Sequence, residues 1–271
     1  MSILARRNVK MGCDIQKADL WKRLSAGLFD FILIGILCVG IMCATAWAVQ
    51  YDKYKDGMDA CYEKYETKYE QMYGVDCDIS EEDYNKLSED KKELLEKALS
   101  EANAELQKDG EAAYYYTMTL NLSLIVIVSG IVLSHVILEL IVPMLIGNGQ
   151  TIGKKVFGIG IIRSDSVKVS FLQMFIRTVL GKCTVEALIP AMLIFTILFN
   201  QGSMFDLILL FGLPLAQIVI YFVSRDKTLI HDMMAQTVAV DIASQRIFNS
   251  AEELLEYKKK LQAEIADRAD Y

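Results

Sequence analysis

The sequence predicts an all-α membrane protein with about four transmembrane helices, an extracytoplasmic helical hairpin insertion and a short cytoplasmic β-hairpin. Hydrophobic residues make up 53% of the 271 residues, and the mean hydropathy is +0.28. These residues are concentrated in four runs, at 24–49, 117–146, 185–199 and 203–223. Basic residues gather in the segments on one side of these runs, whereas one strongly acidic segment falls on the other side.

Each of the four runs carries very few charged side chains, as a lipid bilayer requires. Runs of about 20 apolar residues are long enough to cross the hydrocarbon core as helices. We therefore predict four transmembrane helices, at residues 23–50, 114–146, 183–200 and 203–223. The third is the shortest, and a re-entrant or tilted segment is an open alternative for it. The first run is too long for a signal peptide and has no clean cleavage site, so we expect it to be retained.

Lysine and arginine indicate which side of the membrane is cytoplasmic. With four spans, the basic residues fall on one side, in the segments 1–22, 147–182 and 224–248. Arg6, Arg7 and Arg225 belong to this set. We therefore expect the N-terminus and the C-terminus to be cytoplasmic. The C-terminal segment 249–271 is predicted to be a helical tail, because Ser250 and Glu253 have the spacing of a capping box.

Residues 51–113 form the acidic segment on the opposite side of the predicted membrane. They contain 19 acidic and 9 basic side chains, a net charge of −10, whereas the whole chain carries −7. The acidity of the chain therefore belongs to one loop and gives no indication of nucleic-acid binding. Tyrosines recur near helical spacing from Tyr54 to Tyr73, and a second charged helix begins after Ser88 and ends at Gly110. The pair predicts an antiparallel helical hairpin.

Two functions are open for this insertion, and two states are open for its cysteines. The hairpin is either a docking platform for an envelope protein or an extension of two membrane helices. Cys61 and Cys77 lie in a compartment where a disulfide would survive, so that a disulfide and two free thiols are equally compatible with the sequence.

The segment 147–182 opens with the glycine-rich and lysine-rich stretch GNGQTIGKKVFG. A phosphate-binding loop requires a glycine where Asn148 stands and a hydroxyl residue where Lys155 stands, so the stretch does not fit that motif. We interpret it as a turn that stops the second membrane helix. The alternating residues at 156–169 predict a β-hairpin around RSDS, and residues 170–182 predict an amphipathic helix on the membrane surface.

Charged side chains inside the predicted spans are the candidate site. Asp30 follows Arg23 by seven residues, nearly two helical turns, so both lie on one face about 10 Å apart along the axis. Glu139 lies about two turns before the end of the second span, at a similar depth, and His135 shares its face. Asp30, Glu139 and His135 therefore form a candidate ion or proton site. A static polar cluster that orients the helices is the alternative interpretation.

Several stretches resemble the RDD family of bacterial membrane proteins, which is named for one arginine and two aspartates. WKRLSAGLFDFILIG resembles the family's opening element, with Arg23 and Asp30 at the family's arginine and aspartate. FIRTVLGK, which contains Arg177, is a further match. RDKTLIHDMMAQTVAV is similar to the closing element, with His231, Asp232, Ala235 and Thr237 in place and Gln236 where the family usually has glycine.

The stretch LELIVPMLIGNGQTIGKKVFGIGII is similar to the family's central element. The matching residues are Glu139, Gly149, Thr151, Gly153, Lys154 and Gly158. Together the resemblances cover about residues 17–49 and 114–241. They imply that Arg23, Asp30 and Asp232 are the family's polar cluster, and we expect Arg23 to bridge Asp232. They also imply that the turn contacts anionic headgroups, through Gly149, Thr151, Gly153, Lys154, Lys155 and Arg177.

The resemblance implies a multi-pass protein of the bacterial plasma membrane, with transport, including sodium/proton antiport, suggested for some members of the family. We expect transport of small cations or protons, and the alternative is a non-transporting interaction or assembly protein. The expected partners are the lipid bilayer and either a second copy of the chain or an envelope protein, with no nucleic acid. We predict no enzymatic activity, metal or cofactor, because no nucleophile–base pair, ligand cluster or phosphate loop is recognisable.

Overall fold

The computed structural model describes residues 15–199, 202–224 and 227–269. The basic residues Arg6, Arg7 and Arg225 therefore lie outside the described residues. In chain order the elements are α1 (Leu20–Ala48), α2 (Tyr51–Tyr73), α3 (Glu81–Lys86), α4 (Glu89–Leu106), α5 (Gly110–Ile146), α6 (Ile152–Val156), β1 (Ile159–Arg163), α7 (Phe171–Leu198), α8 (Met204–Val223), α9 (Ile230–Ala235), β2 (Thr237–Asp241) and α10 (Ala251–Ala269).

Four helices in the described ranges are long and apolar enough to cross a membrane, namely α1, α5, α7 and α8. The prediction of an all-α membrane protein with about four transmembrane helices is confirmed. The predicted boundary at residue 183 is not a break, because α7 runs without interruption through residues 171–182, which were expected to belong to a separate surface helix. The helix begins at a capping box in which Ser170 and Gln173 exchange hydrogen bonds.

The chain divides into two compact units, one made of residues 40–129 and the other of residues 1–39 with 130–271. In the first, α2 packs antiparallel to α4, around a core of Tyr65, Tyr69, Ala98 and Ala102. Every fourth residue of α2 from Tyr65 to Tyr73 is a tyrosine, so these rings share the face that contacts α4. The paired helices expected in the insertion are therefore present, with the short α3 between them. Cys61 and Cys77 are free thiols.

The second unit contains a two-stranded antiparallel sheet, in which Ile161 of β1 lies opposite Ala239 of β2. The predicted hairpin within residues 156–169 is present only in part: the turn after β1 closes with one antiparallel bridge, between Ile162 and Lys168, and the strand that pairs along the other edge of β1 comes from residues 237–241. The physical reason is burial. Ile159, Ile161 and Ile162 are buried, and the equally apolar β2 pairs with them along the whole strand, whereas the residues after Asp165 form a single bridge on the opposite edge of β1.

The edge of β2 opposite β1 is paired with the residues that precede α1. The amide of Ala18 donates to the carbonyl of Ala239 at 3.1 Å, and the amide of Asp241 donates to the carbonyl of Gln16 at 3.0 Å. β2 therefore lies between β1 and the N-terminal segment. This arrangement fixes the start of α1, and with it the positions of Arg23 and Asp30, relative to the turn that follows α5.

Candidate functional site

A cluster of ionised side chains lies in the unit formed by residues 1–39 and 130–271. Three membrane-spanning helices contribute different parts of it: α1 carries Arg23 and Asp30, α5 carries Glu139, and α7 carries three charged residues. The basic members described by the structure are Arg23, Lys154, Arg177 and Lys182, and the acidic members are Asp30, Glu139, Glu186 and Asp232. With His231 neutral, these formal charges cancel, which is the condition for burying so many of them.

The carboxylate of Asp30 is buried and is held by the turn that follows α5. Its Oδ1 accepts a hydrogen bond from the amide of Gly153 at 2.8 Å, and its Oδ2 accepts one from the hydroxyl of Thr151. Gly153 is required here, because a Cβ at this position would lie 2.5 Å from the carbonyl oxygen of Ala26. The turn that contains Thr151 and Gly153 therefore holds α1 through the carboxylate of Asp30.

Lys154 lies between two carboxylates. Its Nζ is 3.5 Å from Asp30 Oδ2 and 3.8 Å from Glu139 Oε2. Burial, which disfavours the charged ammonium group, lowers the pKa of Lys154 to about 8, and the Glu139 carboxylate opposes this shift. A lysine with this pKa changes its charge close to neutral pH, whereas an exposed lysine does not.

Glu139 is buried and has two unequal oxygens. Its Oε1 accepts a hydrogen bond from Lys182, whereas its Oε2 has no hydrogen-bond partner among the described residues. The backbone carbonyl of Glu139 also accepts a hydrogen bond from the hydroxyl of Thr178, at 2.8 Å. One carboxylate oxygen therefore faces Lys154 with unused capacity to accept a hydrogen bond or to bind a cation.

Asp232 is fully buried and is the centre of a second group of contacts. Its Oδ1 accepts hydrogen bonds from Arg177 and, at 3.2 Å, from the hydroxyl of Thr237. Its Oδ2 lies 3.5 Å from Nη2 of Arg23, which is the pair expected from the sequence. Burial alone would raise the pKa of Asp232, but the positive charges of Arg177 and Arg23 hold that pKa well below its ordinary value.

His231 lies beside Asp232, between Arg177 and Glu186. Its Nε2 is 3.1 Å from Nη2 of Arg177, and its Nδ1 is hydrogen-bonded to Glu186. Because the guanidinium can only donate, Nε2 must accept, and the proton of the neutral ring is then on Nδ1 and donated to Glu186. Burial lowers the pKa of His231, although Asp232 opposes this effect, so the neutral form is favoured.

Two π-helical segments position four of the eight charged side chains. Glu139 lies in the segment Val136–Ile141 of α5, and Arg177 and Lys182 lie in the segment Ile176–Leu188 of α7. A π-helix forms hydrogen bonds between residues five apart, and such segments often mark functional sites. Arg177 and Lys182 are five residues apart, so the wide turn brings both to one face of α7. Sequence periodicity does not reveal this arrangement, and the partners Lys182 and Glu186 were missed.

The structure does not join His135 to the predicted ion or proton site. Its Nδ1 is hydrogen-bonded to the carbonyl of Ile131 at 2.8 Å, and no described hydrogen bond or ion pair links it to Asp30 or Glu139. The prediction assumed a regular α-helix with residues four apart on one face. The π-helical segment starts at Val136, between the two residues, and the Glu139 carboxylate contacts Lys182 and Lys154.

The structure places most residues of the predicted headgroup turn inside the protein. Lys154 and Arg177 are buried and pair with carboxylates, because each has an acidic partner inside the helix bundle. Thr151 and Gly153 bind Asp30, and Gly149 packs against Ile161 of β1. Lys155 is exposed, so its headgroup contact stays a prediction. Among the described residues, no three His, Cys, Asp or Glu side chains converge as a metal site would require.

The fold and the site define a helical membrane protein in which the ends of several membrane-spanning helices are held by buried ion pairs. A family model with the description RDD family matches residues 17–236, which is most of the chain. The chain therefore belongs to the RDD family. The charged insertion falls inside the matched range, and the C-terminal helix α10 falls outside it. No curated protein and no solved structure matches the chain.

Proposed function

We propose that the chain is a small transporter of the bacterial plasma membrane that exchanges a monovalent cation for a proton. One observation carries this proposal: the amine of Lys154 is buried between Asp30 and Glu139, and its pKa is about 8. In its charged form, Lys154 is the resident cation of this pair of carboxylates. A proton and a metal cation can therefore compete for the same two acids.

The exchange is balanced in charge. When the ammonium of Lys154 releases its proton, the neutral amine leaves one negative charge uncompensated, because Lys182 continues to neutralise Glu139. One monovalent cation restores the balance, and its departure allows Lys154 to take up a proton again. Oxygen atoms suitable for a hard cation are at hand, since Asp30 Oδ2 and Glu139 Oε2 both face Lys154 and Oε2 lacks a hydrogen bond among the described residues.

The distribution of basic residues supports an orientation with both termini in the cytoplasm, and the acidic insertion would then face the cell envelope. Four helices enclose a narrow pathway, which favours a homo-oligomer as the transporting form. The proposal assigns no bond-making chemistry to any residue, and we therefore propose that the chain is not an enzyme.

Flux through proteoliposomes tests this function. The full chain is reconstituted with a pH-sensitive dye inside the vesicles, and Na⁺, Li⁺ or K⁺ is added outside. We expect proton release coupled to uptake of at least one of these cations, with a rate that rises as the pH passes through about 8. Lys154→Met, Asp30→Asn and Glu139→Gln should abolish the coupling, while Lys155→Met, a change at the exposed neighbour, should retain it. Wild-type vesicles that exchange no faster than empty vesicles, under every gradient, would rule the transporter out.

The second candidate is a membrane interaction or assembly protein that acts through the insertion. The observation that favours it is the independent core of the α2–α4 pair, on whose surface Tyr62, Met72 and Leu94 are exposed. Deletion of residues 52–112 should then abolish the co-purification of an envelope protein. If every co-purifying protein is retained after the deletion, the insertion is not the docking surface.

A further inference from the structure

A cavity of about 600 Å³ lies beside the ion-pair cluster. Residues of α1 and α8 form its apolar wall, among them Leu24, Ile218 and Phe222. Its other wall is basic, and the described basic residues that line it are Arg23, Lys154, Arg177 and Lys182. One cavity is therefore lined both by apolar side chains and by four basic ones.

The charges are arranged so that the cations face the cavity. Of the acidic members of the cluster, only Asp232 is among the described lining residues, whereas Asp30, Glu139 and Glu186 are not. The acids neutralise these basic side chains through direct contacts, since Lys182 donates to Glu139 and Arg177 donates to Asp232. Arg23 is further held in place by the ring of Tyr221, which lies 5.4 Å from its guanidinium carbon and also lines the cavity.

The apolar wall is accessible from the side of the helices. Leu24 and Ile218 are each 54% exposed and Phe222 is 63% exposed, although all three line the cavity. In a membrane, the exposed faces of these side chains contact acyl chains, because α1 and α8 are both long enough to span the bilayer. A hydrocarbon chain can therefore pass from the bilayer into the cavity without crossing water.

We propose that this cavity binds one anionic phospholipid. Its phosphate is received by Arg23, Arg177 and Lys182, and an acyl chain lies along Leu24, Ile218 and Phe222. Basic pockets between membrane helices are suited to anionic headgroups, and the phosphate oxygens match the forked donors of arginine. The lipid enters between α1 and α8, which differs from a headgroup contact at the membrane surface. The inference goes beyond the proposed cation exchange and does not require Lys154 to lose its proton.

Native mass spectrometry of the full-length, delipidated protein tests the site. The probes are phosphatidylglycerol, phosphatidylcholine with the same acyl chains, and inorganic phosphate. We expect phosphatidylglycerol to bind about tenfold more tightly than phosphatidylcholine, and inorganic phosphate to leave the protein unchanged. Ile218→Trp fills the apolar part of the cavity and should weaken phosphatidylglycerol binding by about tenfold or more. The matched control is Leu215→Trp, at an exposed position of α8 that is not among the described lining residues, and it should bind like the wild type.

Arg23→Gln should remove the preference for phosphatidylglycerol, since it removes a donor from the headgroup region. Because Arg23 also contacts Asp232, the Ile218→Trp result decides the question if this variant does not fold. Equal affinity for the two lipids, or unchanged binding in Ile218→Trp, would overturn the proposal. Binding of inorganic phosphate as strong as that of phosphatidylglycerol would also overturn it, in favour of a soluble anion.

The lipid site and the proposed exchange fail in distinguishable ways. Loss of the lipid preference with intact cation-coupled proton flux would overturn the lipid site alone. A wild-type protein that selects phosphatidylglycerol but shows no flux would retain the lipid site and overturn the exchange. Asp30→Asn separates the two further, because Asp30 is not among the described lining residues: it should abolish flux and preserve lipid selectivity.

Discussion

Arg177 contacts a single oxygen of Asp232 with two of its nitrogens: Nε donates a hydrogen bond at 2.9 Å, and Nη2 lies 2.8 Å away. The two side chains are 3% and 0% exposed, so the pair is almost completely removed from solvent. It joins the third membrane-spanning helix, α7, to the short helix α9 that follows the fourth. Arg23 approaches the other oxygen of Asp232 from α1. One carboxylate therefore connects three parts of the chain that are far apart in sequence.

Arg177→Gln should destabilise the protein strongly. Asp232 would keep its burial and lose its closest partner, and breaking a buried ion pair from one side typically costs about 3–5 kcal/mol. The midpoint of thermal unfolding in detergent measures this loss. Arg23→Ala should have a smaller effect, because Arg23 lies 3.5 Å from Asp232 and is partly exposed. Lys155→Gln, at an exposed lysine of α6, is the control and should unfold like the wild type. A normal midpoint for Arg177→Gln would contradict the central role of this pair.

Gly153→Ala should separate the turn from α1. The added Cβ would lie 2.5 Å from the carbonyl oxygen of Ala26 and 2.8 Å from Asp30 Oδ1, so the turn must move and its hydrogen bond to Asp30 must lengthen. Overpacking of this kind usually costs about 1–3 kcal/mol. Gly35→Ala is the matched control, because its added Cβ would meet no described atom within 4 Å and alanine favours the helix. Equal thermal stability of the two variants would show that the close approach is not needed.

The thermal stability should fall as the pH is lowered from about 7 to about 5, in part because of His231. Its pKa in the folded protein is lowered by burial, so the unfolded chain binds a proton at a higher pH than the folded chain does. The contribution is therefore fully present above the ordinary histidine pKa of about 6.5 and is lost as the pH falls below it. His231→Gln keeps a polar side chain without this titration and should flatten the profile. Parallel profiles for both proteins would exclude His231 as the source.

Tyr65→Phe should weaken the α2–α4 pair at about pH 8 but much less above about pH 12. The hydroxyl of Tyr65 donates to Asp109 at 2.7 Å, and this hydrogen bond, together with burial, raises the pKa of Tyr65 to about 12. A raised pKa stabilises the fold below the ordinary tyrosine value of about 10, and this stabilisation is lost as the pH rises through about 12. Circular dichroism during denaturant titration, at both pH values, measures the difference. Tyr62→Phe is the control, because its hydroxyl has no hydrogen bond among the described residues. An unchanged gap between wild type and Tyr65→Phe would refute the argument.

The membrane helices and the helical insertion could be predicted because their signals are local. Long apolar runs need no partner to be recognised, and the tyrosines of α2 repeat with the period of a helix. The pair of Arg23 and Asp232 could be predicted, because the distance of each residue from the end of its span places both at the same surface of the membrane. The pairing of β1 with β2 could not, since the partner of a strand depends on which distant segment is equally apolar and equally buried.

The partners of the acids were the part that sequence patterns could not supply. Lys154 belongs to a turn and was expected to contact headgroups, but a carboxylate in each of two helices stabilises its ammonium inside the bundle. Lys182 and Arg177 share a face only because α7 adopts a π-helical turn there. A π-helix has no established residue pattern of its own, so its effect on side-chain direction becomes visible only in three dimensions.

The position of β2 has a consequence for biosynthesis. Both the residues before α1 and strand β1 hydrogen-bond to β2, and β2 is translated after every membrane-spanning helix of the described chain. Until the ribosome has passed Asp241, the first and second helices therefore lack the hydrogen bonds that β2 makes to the residues before α1 and to β1. A nascent chain that stalls before Thr237 would leave two backbone edges without β2, and unpaired edges of this kind pair readily with other chains.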